Sequence, residues 1–413
     1  MSKVSIGHTK ELPYIRTLDG FRAMAAILVV LFHSPVPLFQ LRCGWAGVNL
    51  FFILSGFLIT RILISTRANG LPVYLKNFYS RRVLRIFPLY FFYLLLAAGL
   101  LYALHLLVGG KEPMVVQGIS DLRTNYPFLL SFTYNFEELI NFLGGRDYHN
   151  SVFFGHLWTL SVEMQFYLLF PFLVYFLPIK VLKRLLLFLL FLVPLLRLLI
   201  VHFLKQRVND LFWIGDILYV ATPFQLDALS LGACLALFDC RKVLQYGVQI
   251  LTGLVLLVLA IGYANIHMLS QYGVRMEPGA LGFDVPVFHL LTRTPDALVN
   301  NRYFYSMPLI NLLFAVFILL SMRRRLFTGI FENGLLVRIG KVSYGIYIYH
   351  LAFSYVYGLV FRKVFGAEIA EIGMVGQVGS MMVYLSVLYG IAWVSYRFLE
   401  RRFLALKTVN NRI

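Results

Sequence analysis

Apolar stretches of about 20 residues, each long enough to cross the ~30 Å hydrocarbon core of a bilayer as a helix, recur along the whole chain. Polar and charged residues are concentrated in the connections between them. Because only helices and closed barrels satisfy their backbone hydrogen bonds in lipid, we expect an all-α polytopic membrane protein. The pattern predicts ten membrane-spanning helices, at residues 18–37, 44–64, 86–108, 157–178, 181–201, 223–240, 243–263, 303–322, 342–361 and 378–398.

The connections on one side of the membrane hold most of the 37 lysines and arginines. Cytoplasmic loops carry such an excess, and an even number of spans puts both termini on the same side. We therefore expect cytoplasmic tails at residues 1–17 and 399–413, on either side of a transmembrane domain at 18–398. This domain is expected to carry long outer loops at about 109–156 and 264–302. The first loop includes the apolar stretch YPFLLSFTYNF, which could lie on the membrane surface or re-enter it.

The composition excludes a soluble protein of this length. The 413 residues are 60% hydrophobic and 14% charged, and the mean hydropathy is +0.76. The net charge of +18 does not indicate nucleic-acid binding, because the positive charges lie in short loops between apolar runs. Cys43, Cys234 and Cys240 are scattered and form neither a disulfide framework nor a zinc-binding spacing, so we expect no metal. The chain is expected to be an integral multi-pass protein of the plasma membrane, which is the inner membrane in a bacterium.

Arg22 and His33 lie in the first apolar segment, eleven residues apart. At roughly 100° per residue this spacing puts both side chains on one helix face, about 16 Å apart along the axis. An ionisable group within a membrane span is costly, and it is a candidate functional residue by default. The alternative is that Arg22 extends to the interface and His33 is a packing residue. For the aligned pair we favour the functional interpretation.

Several other polar groups are predicted in the outer half of the membrane. Glu163 lies at a depth similar to that of His33, and the two could form a general-base pair in which the carboxylate orients the imidazole. Asp227 and His156 lie near the outer ends of their spans, and His350 lies in the middle of its span. A structural clasp is the alternative for Glu163 and is favoured for Asp227. A satisfied core histidine is an equal alternative for His350.

The inner side gathers positive charge in the segment RRVLRIFP, which contains Arg81, Arg82 and Arg85. Spacings of three and four residues bring pairs of these side chains to one helix face. Guanidinium groups match phosphate geometry, so the segment could bind a phosphorylated cytoplasmic substrate. The alternatives are the positive-inside rule and binding of anionic lipid, which the charges alone favour.

Together these residues resemble the acyltransferase 3 family of membrane-embedded acyltransferases. The resemblance is carried by six segments in the family's order, from residue 14 to about 403. Gly47, Ser55 and Gly56 belong to the second segment, where small residues allow close helix approach. The six segments are YIRTLDGFRAMAAILVVLFH with its Arg, ten residues, His signature, GVNLFFILSGFLI, FYSRRVLRIFPLY, HLWTLSVEMQFYLLFP, GKVSYGIYIYH and RFLERRF.

The resemblance implies an enzyme that transfers an acyl group, commonly acetyl, from cytoplasmic acyl-coenzyme A to a hydroxyl of a glycan. The acceptor would be a lipopolysaccharide O-antigen or another cell-surface or lipid-linked saccharide. His33 would deprotonate the acceptor hydroxyl or carry the acyl group transiently, and the sequence leaves both mechanisms open. The expected partners are therefore the acyl-coenzyme A donor, the saccharide and membrane lipids, with no nucleic acid.

The expected site has three parts. We assign catalysis to His33, Glu163 and Arg22. The donor cofactor, with acetyl-coenzyme A as the first candidate, is assigned to Arg81, Arg82, Arg85, Ser343 and Tyr344. Acceptor binding is assigned to Trp158, Ser161, Asp227, His156 and His350.

Two positions depart from the family pattern. Asn49 stands where many members have Asp, and Gln225 stands where many have Arg two residues before Asp227. Both departures put an ion-pair role at these positions in doubt. No segment resembles the SGNH-type domain that is fused to some members, so we expect the standalone type. The alternative function is a secondary transporter or flippase with a polar site at the midplane, although the two halves show no clear similarity.

Overall fold

A computed structural model describes residues 13–108, 111–143, 151–205, 217–271 and 306–409. Across these ranges the backbone forms helices and turns and contains no β-strand, which confirms the predicted all-α class. Most of the predicted N-terminal tail and most of the predicted loop at 264–302 lie outside the described residues.

Each predicted span overlaps a helix of the structure. The boundaries agree to within a few residues at most ends. In chain order the helices are α1 (Arg16–Phe32), α2 (Ala46–Thr66), α3 (Leu71–Val108), α4 (Pro113–Leu130), α5 (Glu137–Leu143), α6 (Trp158–Phe176), α7 (Ile179–Lys205), α8 (Leu226–Leu237), α9 (Arg241–Gln245), α10 (Gly247–Gln271), α11 (Met307–Arg323), α12 (Thr328–Phe331), α13 (Gly334–Lys341), α14 (Ser343–Phe365), α15 (Met374–Ser395) and α16 (Arg401–Val409).

Six of the described helices are long and apolar enough to cross a membrane, namely α2, α3, α6, α7, α10 and α15. Their outward faces carry large apolar side chains that are left uncovered, such as Leu95 at 75% exposure and Val375 at 86%. A soluble domain rarely leaves contiguous apolar patches this large exposed, whereas lipid covers them. The chain is therefore an integral membrane protein. The count of ten spans and the cytoplasmic placement of both termini stay predictions.

Helix α3 begins at Leu71, fifteen residues before the predicted start of the third span. The extra turns contain Lys76, Arg81, Arg82 and Arg85, whose charges end the hydropathy signal. Lysine and arginine are nevertheless good helix formers, so the helix continues through them. As a result the arginines project from a regular helix, and their orientation is fixed by it.

The segment predicted as a long outer loop at 109–156 contains α4 and α5. Its apolar stretch turns back against α6, where the Gln165 amide donates to the Phe132 carbonyl at 2.9 Å and to the Asn135 side chain at 2.8 Å. Thr222 joins the same network by donating to Gln165 at 2.6 Å. Gln165 lies two turns into α6, so this stretch packs against the side of that helix and does not extend away from the bundle.

Glycines let α2 approach its neighbours closely. A Cβ atom at Gly56 would lie 2.0 Å from the Leu229 carbonyl oxygen of α8, and one at Gly47 would lie 2.4 Å from the Ala25 carbonyl oxygen of α1. The predicted role of these two glycines in close helix packing is confirmed. Because backbones meet directly, α1, α2 and α8 have little freedom to slide past one another.

Candidate active site

A cavity lies where five helices, α1, α2, α3, α6 and α14, meet. The volume of the cavity is about 110 Å³. Most of the exposed area of its wall is apolar, but polar side chains come from all five helices. These polar side chains are Arg22, Ser55, Arg82, Arg85, Thr159, Glu163, Tyr167, Ser343, Tyr344 and Tyr347.

Three guanidinium groups from two helices converge on this cavity. Arg22 pairs with Asp19 one turn earlier on α1, at 2.6 Å, whereas no ion pair joins Arg82 or Arg85 to a carboxylate in the described part of the chain. The Arg82 guanidinium lies 5.9 Å from the centre of the Tyr167 ring, and its buried Nε has no hydrogen-bond partner there. The cavity therefore carries positive charge that is available to an anionic ligand.

Asp19 also accepts a hydrogen bond from Tyr14, which precedes α1. Partial burial and this hydrogen bond raise the pKa of Tyr14 to about 12. The Asp19 carboxylate is thus held from two sides. It fixes the Arg22 guanidinium at the cavity wall.

The structure separates Arg81 from the other two arginines predicted for donor binding. Arg82 and Arg85 are three residues apart and line the cavity, while Arg81 does not. Arg81 lies roughly 100° around α3 from Arg82, on the far side of Arg85, and this places it outside the cavity lining although it is four residues from Arg85. Of the predicted donor residues, Ser343 and Tyr344 also line the cavity. The Ser343 hydroxyl donates to the Gly340 carbonyl at 2.9 Å, and the Tyr344 hydroxyl to the Ile86 carbonyl at 3.0 Å.

Glu163 lines the same cavity, with a hydrogen bond from the Ser55 hydroxyl to one carboxylate oxygen. The Tyr167 hydroxyl donates to the other oxygen at 3.0 Å. The sequence singled out Ser55 only for packing, and it did not single out Tyr167 at all. A spacing of four residues between Glu163 and Tyr167 on one helix is the signal that could have paired them.

Three histidines from distant parts of the sequence meet beyond this cavity. His33 follows the last residue of α1, His156 lies in the turn before α6, and His350 lies on α14. The ring centres of His33 and His350 are 5.1 Å apart, and those of His156 and His350 are 5.3 Å apart. We call these three residues the histidine cluster. His350 occupies its centre and is fully buried.

Hydrogen bonds to carbonyl oxygens assign the ring protons of the neutral histidines, because a carbonyl only accepts. His350 Nδ1 lies 2.5 Å from the Tyr347 carbonyl, so this nitrogen carries the proton and Nε2 accepts. His33 Nδ1 lies 3.2 Å from the Val29 carbonyl and 3.2 Å from His350 Nε2, and donates to both. The Nε2 atom of His33 then carries a lone pair, and it has no partner among the described residues. This is the arrangement of a general base.

His156 follows the same logic. Its Nε2 atom lies 2.9 Å from the Ile348 carbonyl and donates to it. Its Nδ1 atom is then an acceptor, and it has no hydrogen-bond partner in the described part of the chain. Tyr347 joins the cluster to the cavity, because its hydroxyl lies 2.8 Å from Thr159 and donates to the His156 carbonyl at 3.0 Å. Neither Thr159 nor Tyr347 was assigned to the site from the sequence.

The predicted pairing of His33 with Glu163 is wrong in this structure: His33 bonds to Val29 and His350, and Glu163 bonds to Ser55 and Tyr167. The error came from the end of the first span. Proline breaks helices, and Pro35 and Pro37 follow closely, so α1 ends at Phe32 rather than at residue 37. Glu163 lies five residues inside α6, about 7 Å from its start. His33 instead reaches the level of His156.

Three residues predicted to bind the acceptor lie away from the cavity and serve packing in the described structure. Trp158 packs edge-on against Tyr219, with ring centres 4.9 Å apart. The buried Ser161 hydroxyl donates back to the Leu157 carbonyl at 3.5 Å. Asp227 accepts two hydrogen bonds from Arg197 of α7, both at 2.9 Å, and neither side chain is accessible. The structural clasp favoured for Asp227 is the arrangement observed.

The two departures from the family pattern are resolved by other partners. Arg197, from a different helix, supplies the guanidinium that position 225 lacks. Asn49 donates to the Asn311 side chain at 2.8 Å, so a neutral amide pair occupies that position. Within the described ranges, no group of three His, Cys, Asp or Glu side chains is arranged to hold a metal ion.

The fold and the cavity define a polytopic membrane protein with a buried, arginine-lined binding site. Residues 15–397 match the family model described as an acyltransferase domain. The match covers nearly the whole chain, and the protein therefore belongs to the acyltransferase 3 family of membrane-embedded acyltransferases. This confirms the family inferred from the six sequence segments.

The chain is also similar to two named proteins of Staphylococcus aureus. It is 26% identical to O-acetyltransferase OatA of strain NCTC 8325 / PS 47 over 402 residues, which is 94% of this chain and 57% of that protein. It is 25% identical to a provisionally named O-acetyltransferase of strain COL over 410 residues, or 95% of this chain and 58% of that protein. The chain thus spans less than two thirds of the length of these relatives. No solved structure matches.

Proposed function

We propose that this protein is a membrane O-acyltransferase. It moves an acyl group, acetyl in the first place, from cytoplasmic acyl-coenzyme A to a hydroxyl of a cell-surface or lipid-linked saccharide. The observation that carries the proposal is the convergence of Arg22, Arg82 and Arg85 on one cavity, whose wall residue Tyr347 bonds to His156 of the histidine cluster. Membership of the acyltransferase family supplies the class of reaction, and the names of the relatives support acetyl as the group and oxygen as the acceptor atom.

The cavity fits the donor by charge. Coenzyme A carries phosphate groups, and guanidinium forks bind phosphate oxygens through two charge-assisted hydrogen bonds. Arg82 and Arg85 are the residues with charge to spare, because Arg22 already pairs with Asp19. The apolar part of the wall suits the flexible arm and the thioester. In the predicted orientation this end of the bundle faces the cytoplasm, where acyl-coenzyme A is found.

The reaction requires a base near the acceptor hydroxyl. In direct transfer, His33 Nε2 takes the hydroxyl proton as the oxygen attacks the thioester carbonyl. The carbon–sulfur bond then breaks, and the coenzyme A thiolate leaves. In the covalent alternative, His33 Nε2 itself attacks the thioester and expels the thiolate. The hydroxyl oxygen then takes the acyl group from His33, and its proton goes to the ring nitrogen that is released. The lone pair on His33 Nε2 serves either route, and both remain open here.

A transfer assay with purified full-length protein in lipid nanodiscs tests the function. The donor is acetyl-coenzyme A with a labelled acetyl group, and the acceptor is surface glycan isolated from cells that lack this gene. We expect the glycan to gain the mass of acetyl and the label. Glycan that stays unmodified while thioester is intact would contradict the proposal. Movement of glycan across a vesicle membrane without a mass gain would favour the transporter instead.

A lipopolysaccharide O-antigen is one acceptor of the expected kind, acetyl-coenzyme A is the expected donor, and the bacterial inner membrane is the expected location. Comparing the intact surface glycan of cells with and without the gene by mass spectrometry identifies the acyl group and the acceptor in one measurement.

A further inference from the structure

A second pocket lies on the other side of the histidine cluster from the arginine-lined cavity. Water-sized molecules can occupy about 300 Å³ of it, within reach of the ~300–1,000 Å³ range typical of small-ligand sites. Helix α14 joins the two. Tyr344 and Tyr347 line the cavity, His350 lies in the cluster, and Ser354 and Tyr355 line the pocket. From Tyr347 to Tyr355 the helix rises only about 12 Å.

A residue in the wall of this pocket bonds to the backbone of His33. The Ser354 hydroxyl, in its wall, donates to the His33 carbonyl oxygen at 2.8 Å. Pro35, two residues after His33, lines the same pocket. A ligand seated here is therefore separated from His33 by one side chain, that of Ser354, and it approaches from the side opposite to the arginines.

The charged groups at the pocket are one cation and two carboxylates. Arg362 lies 3.1 Å from Glu368 and 3.8 Å from Glu112, and the Tyr355 hydroxyl donates to Glu112 at 3.2 Å. Arg362 and Glu368 are about half exposed, so both keep hydrogen-bonding capacity for a ligand. One cation between two carboxylates gives no net attraction for an anion such as phosphate. Side-by-side donors and acceptors with an aromatic ring suit a neutral molecule rich in hydroxyl groups.

We infer that this pocket binds the acceptor, and that it takes a sugar ring whose free hydroxyl points toward His33. The inference rests on the proposed function and adds its second substrate site. It places acceptor recognition on Tyr355, Arg362 and Glu368 instead of Trp158, Ser161 and Asp227. Donor and acceptor then enter from opposite ends of α14 and meet at the histidine cluster.

The test compares acceptor and donor dependence in purified full-length protein. The variants are Arg362→Met and Tyr355→Phe, and the matched control is Lys363→Met, an exposed neighbouring cation outside the pocket. The acceptor is again surface glycan from cells that lack the gene, with acetyl-coenzyme A as donor. Loss of a hydrogen bond to a charged group should raise the acceptor KM about tenfold or more in Arg362→Met. The donor KM should stay within about twofold in all variants, and the control should match the wild type.

Two measurements separate this inference from the proposed function. Binding of labelled glycan to the protein without donor is measured alongside turnover. If the wild type transfers acetyl and the acceptor KM is unchanged in both pocket variants, the pocket assignment is wrong and the function stands. If the wild type transfers nothing but binds glycan, and Arg362→Met loses that binding, the pocket stands and the function fails. Loss of a co-purified phospholipid with unchanged glycan binding would assign the pocket to a lipid headgroup and overturn the inference.

Discussion

The Nε2 atom of His350 lies 3.2 Å from the Nδ1 atom of His33, although the two residues are 317 positions apart in the sequence. This contact ties α14 to the end of α1. It orients the His33 ring, because the shared proton fixes which nitrogen donates and which remains free. In the proposed reaction, His350 is a positioning residue that acts through His33, in the way a carboxylate orients histidine in other enzymes.

Replacing His33 by alanine should abolish acyl transfer while the protein stays folded in the membrane. Loss of a positioned base removes about 10²–10⁴-fold in rate. The measurement is acetyl transfer by purified protein, with size-exclusion and thermal-melting profiles as checks of folding. His202→Ala, at an exposed histidine on α7, is the control and should be fully active. Turnover near the wild-type value in His33→Ala would remove His33 from the mechanism and make His156 the next candidate.

Replacing Arg82 or Arg85 by alanine should weaken donor binding. Each lost charge-assisted hydrogen bond is worth about 1.5–3 kcal/mol, which corresponds to a donor Kd raised about 10- to 100-fold. Lysine should substitute poorly, because it lacks the planar fork. Binding of acetyl-coenzyme A is measured by calorimetry on the full chain.

Arg81→Ala is the matched control for these variants, since Arg81 does not line the cavity. It should bind the donor like the wild type. Equal loss in all three variants would mean that the charge of the whole segment matters, and not the cavity.

Glu163→Gln should separate binding from turnover. Removing a negative charge from a cavity that already holds Arg82 and Arg85 should lower the Kd for the anionic donor, on the order of threefold. Turnover should fall, because the carboxylate accepts from Ser55 on one oxygen and from Tyr167 on the other, whereas an amide has one acceptor oxygen and its NH₂ group only donates. The two quantities are measured on the same preparation. A variant that binds the donor more weakly would show that Glu163 contacts the donor favourably, contrary to this account.

Gly56→Val should destabilise the helix bundle. The new side chain would begin 2.0 Å from the Leu229 carbonyl oxygen, and overpacking of this kind costs about 1–3 kcal/mol. We expect a lower melting temperature in detergent and a lower yield of folded protein. Gly253→Val, where a Cβ atom meets nothing within 4 Å, should melt like the wild type. Equal melting temperatures in the two variants would mean that α2 and α8 separate easily.

Single cysteines test the orientation of the chain. In a background without Cys43, Cys234 and Cys240, position 76 should be cytoplasmic and position 123 external. Both positions are exposed in the structure, so neither is hidden from reagent. A membrane-impermeant maleimide should label Arg123→Cys in intact cells and Lys76→Cys only after permeabilisation. The reverse pattern would invert the assigned orientation and, with it, the side from which the donor enters.

The sequence was most informative for features that depend on the residues of a single helix. Each segment predicted from hydropathy overlaps a helix, and spacing along α3 brought Arg82 and Arg85 together, because both patterns are local. The histidine cluster was not predictable in this way. Its three residues come from segments far apart in the chain, namely His33, His156 and His350. No local pattern in a single sequence indicates that residues so far apart are in contact. The wrong His33–Glu163 pairing shows the same limit, since depth along a span does not say which neighbour a side chain meets.

Arg197 shows a second limit. It lies in an apolar segment that reads as one more membrane span, and nothing nearby in the sequence indicates a partner. Its ion pair with Asp227 depends on how α7 and α8 pack. Gln225 therefore suggested that Asp227 had lost its ion-pair partner, whereas Arg197 on a different helix provides the guanidinium.

The spacing of Arg22 and His33 on α1 has a consequence for how this chain can vary. Inserting or deleting a single residue between them would swing one side chain around the helix by roughly 100° relative to the other. The helix cannot absorb the change by sliding, because Gly20 and Gly47 bring its backbone against two neighbours. Substitutions in this stretch are tolerable wherever a side chain faces lipid, but changes in length are not. Natural insertions and deletions should therefore occur elsewhere in the chain. A chimaera that exchanges this helix should replace the whole stretch from Arg22 to His33 together.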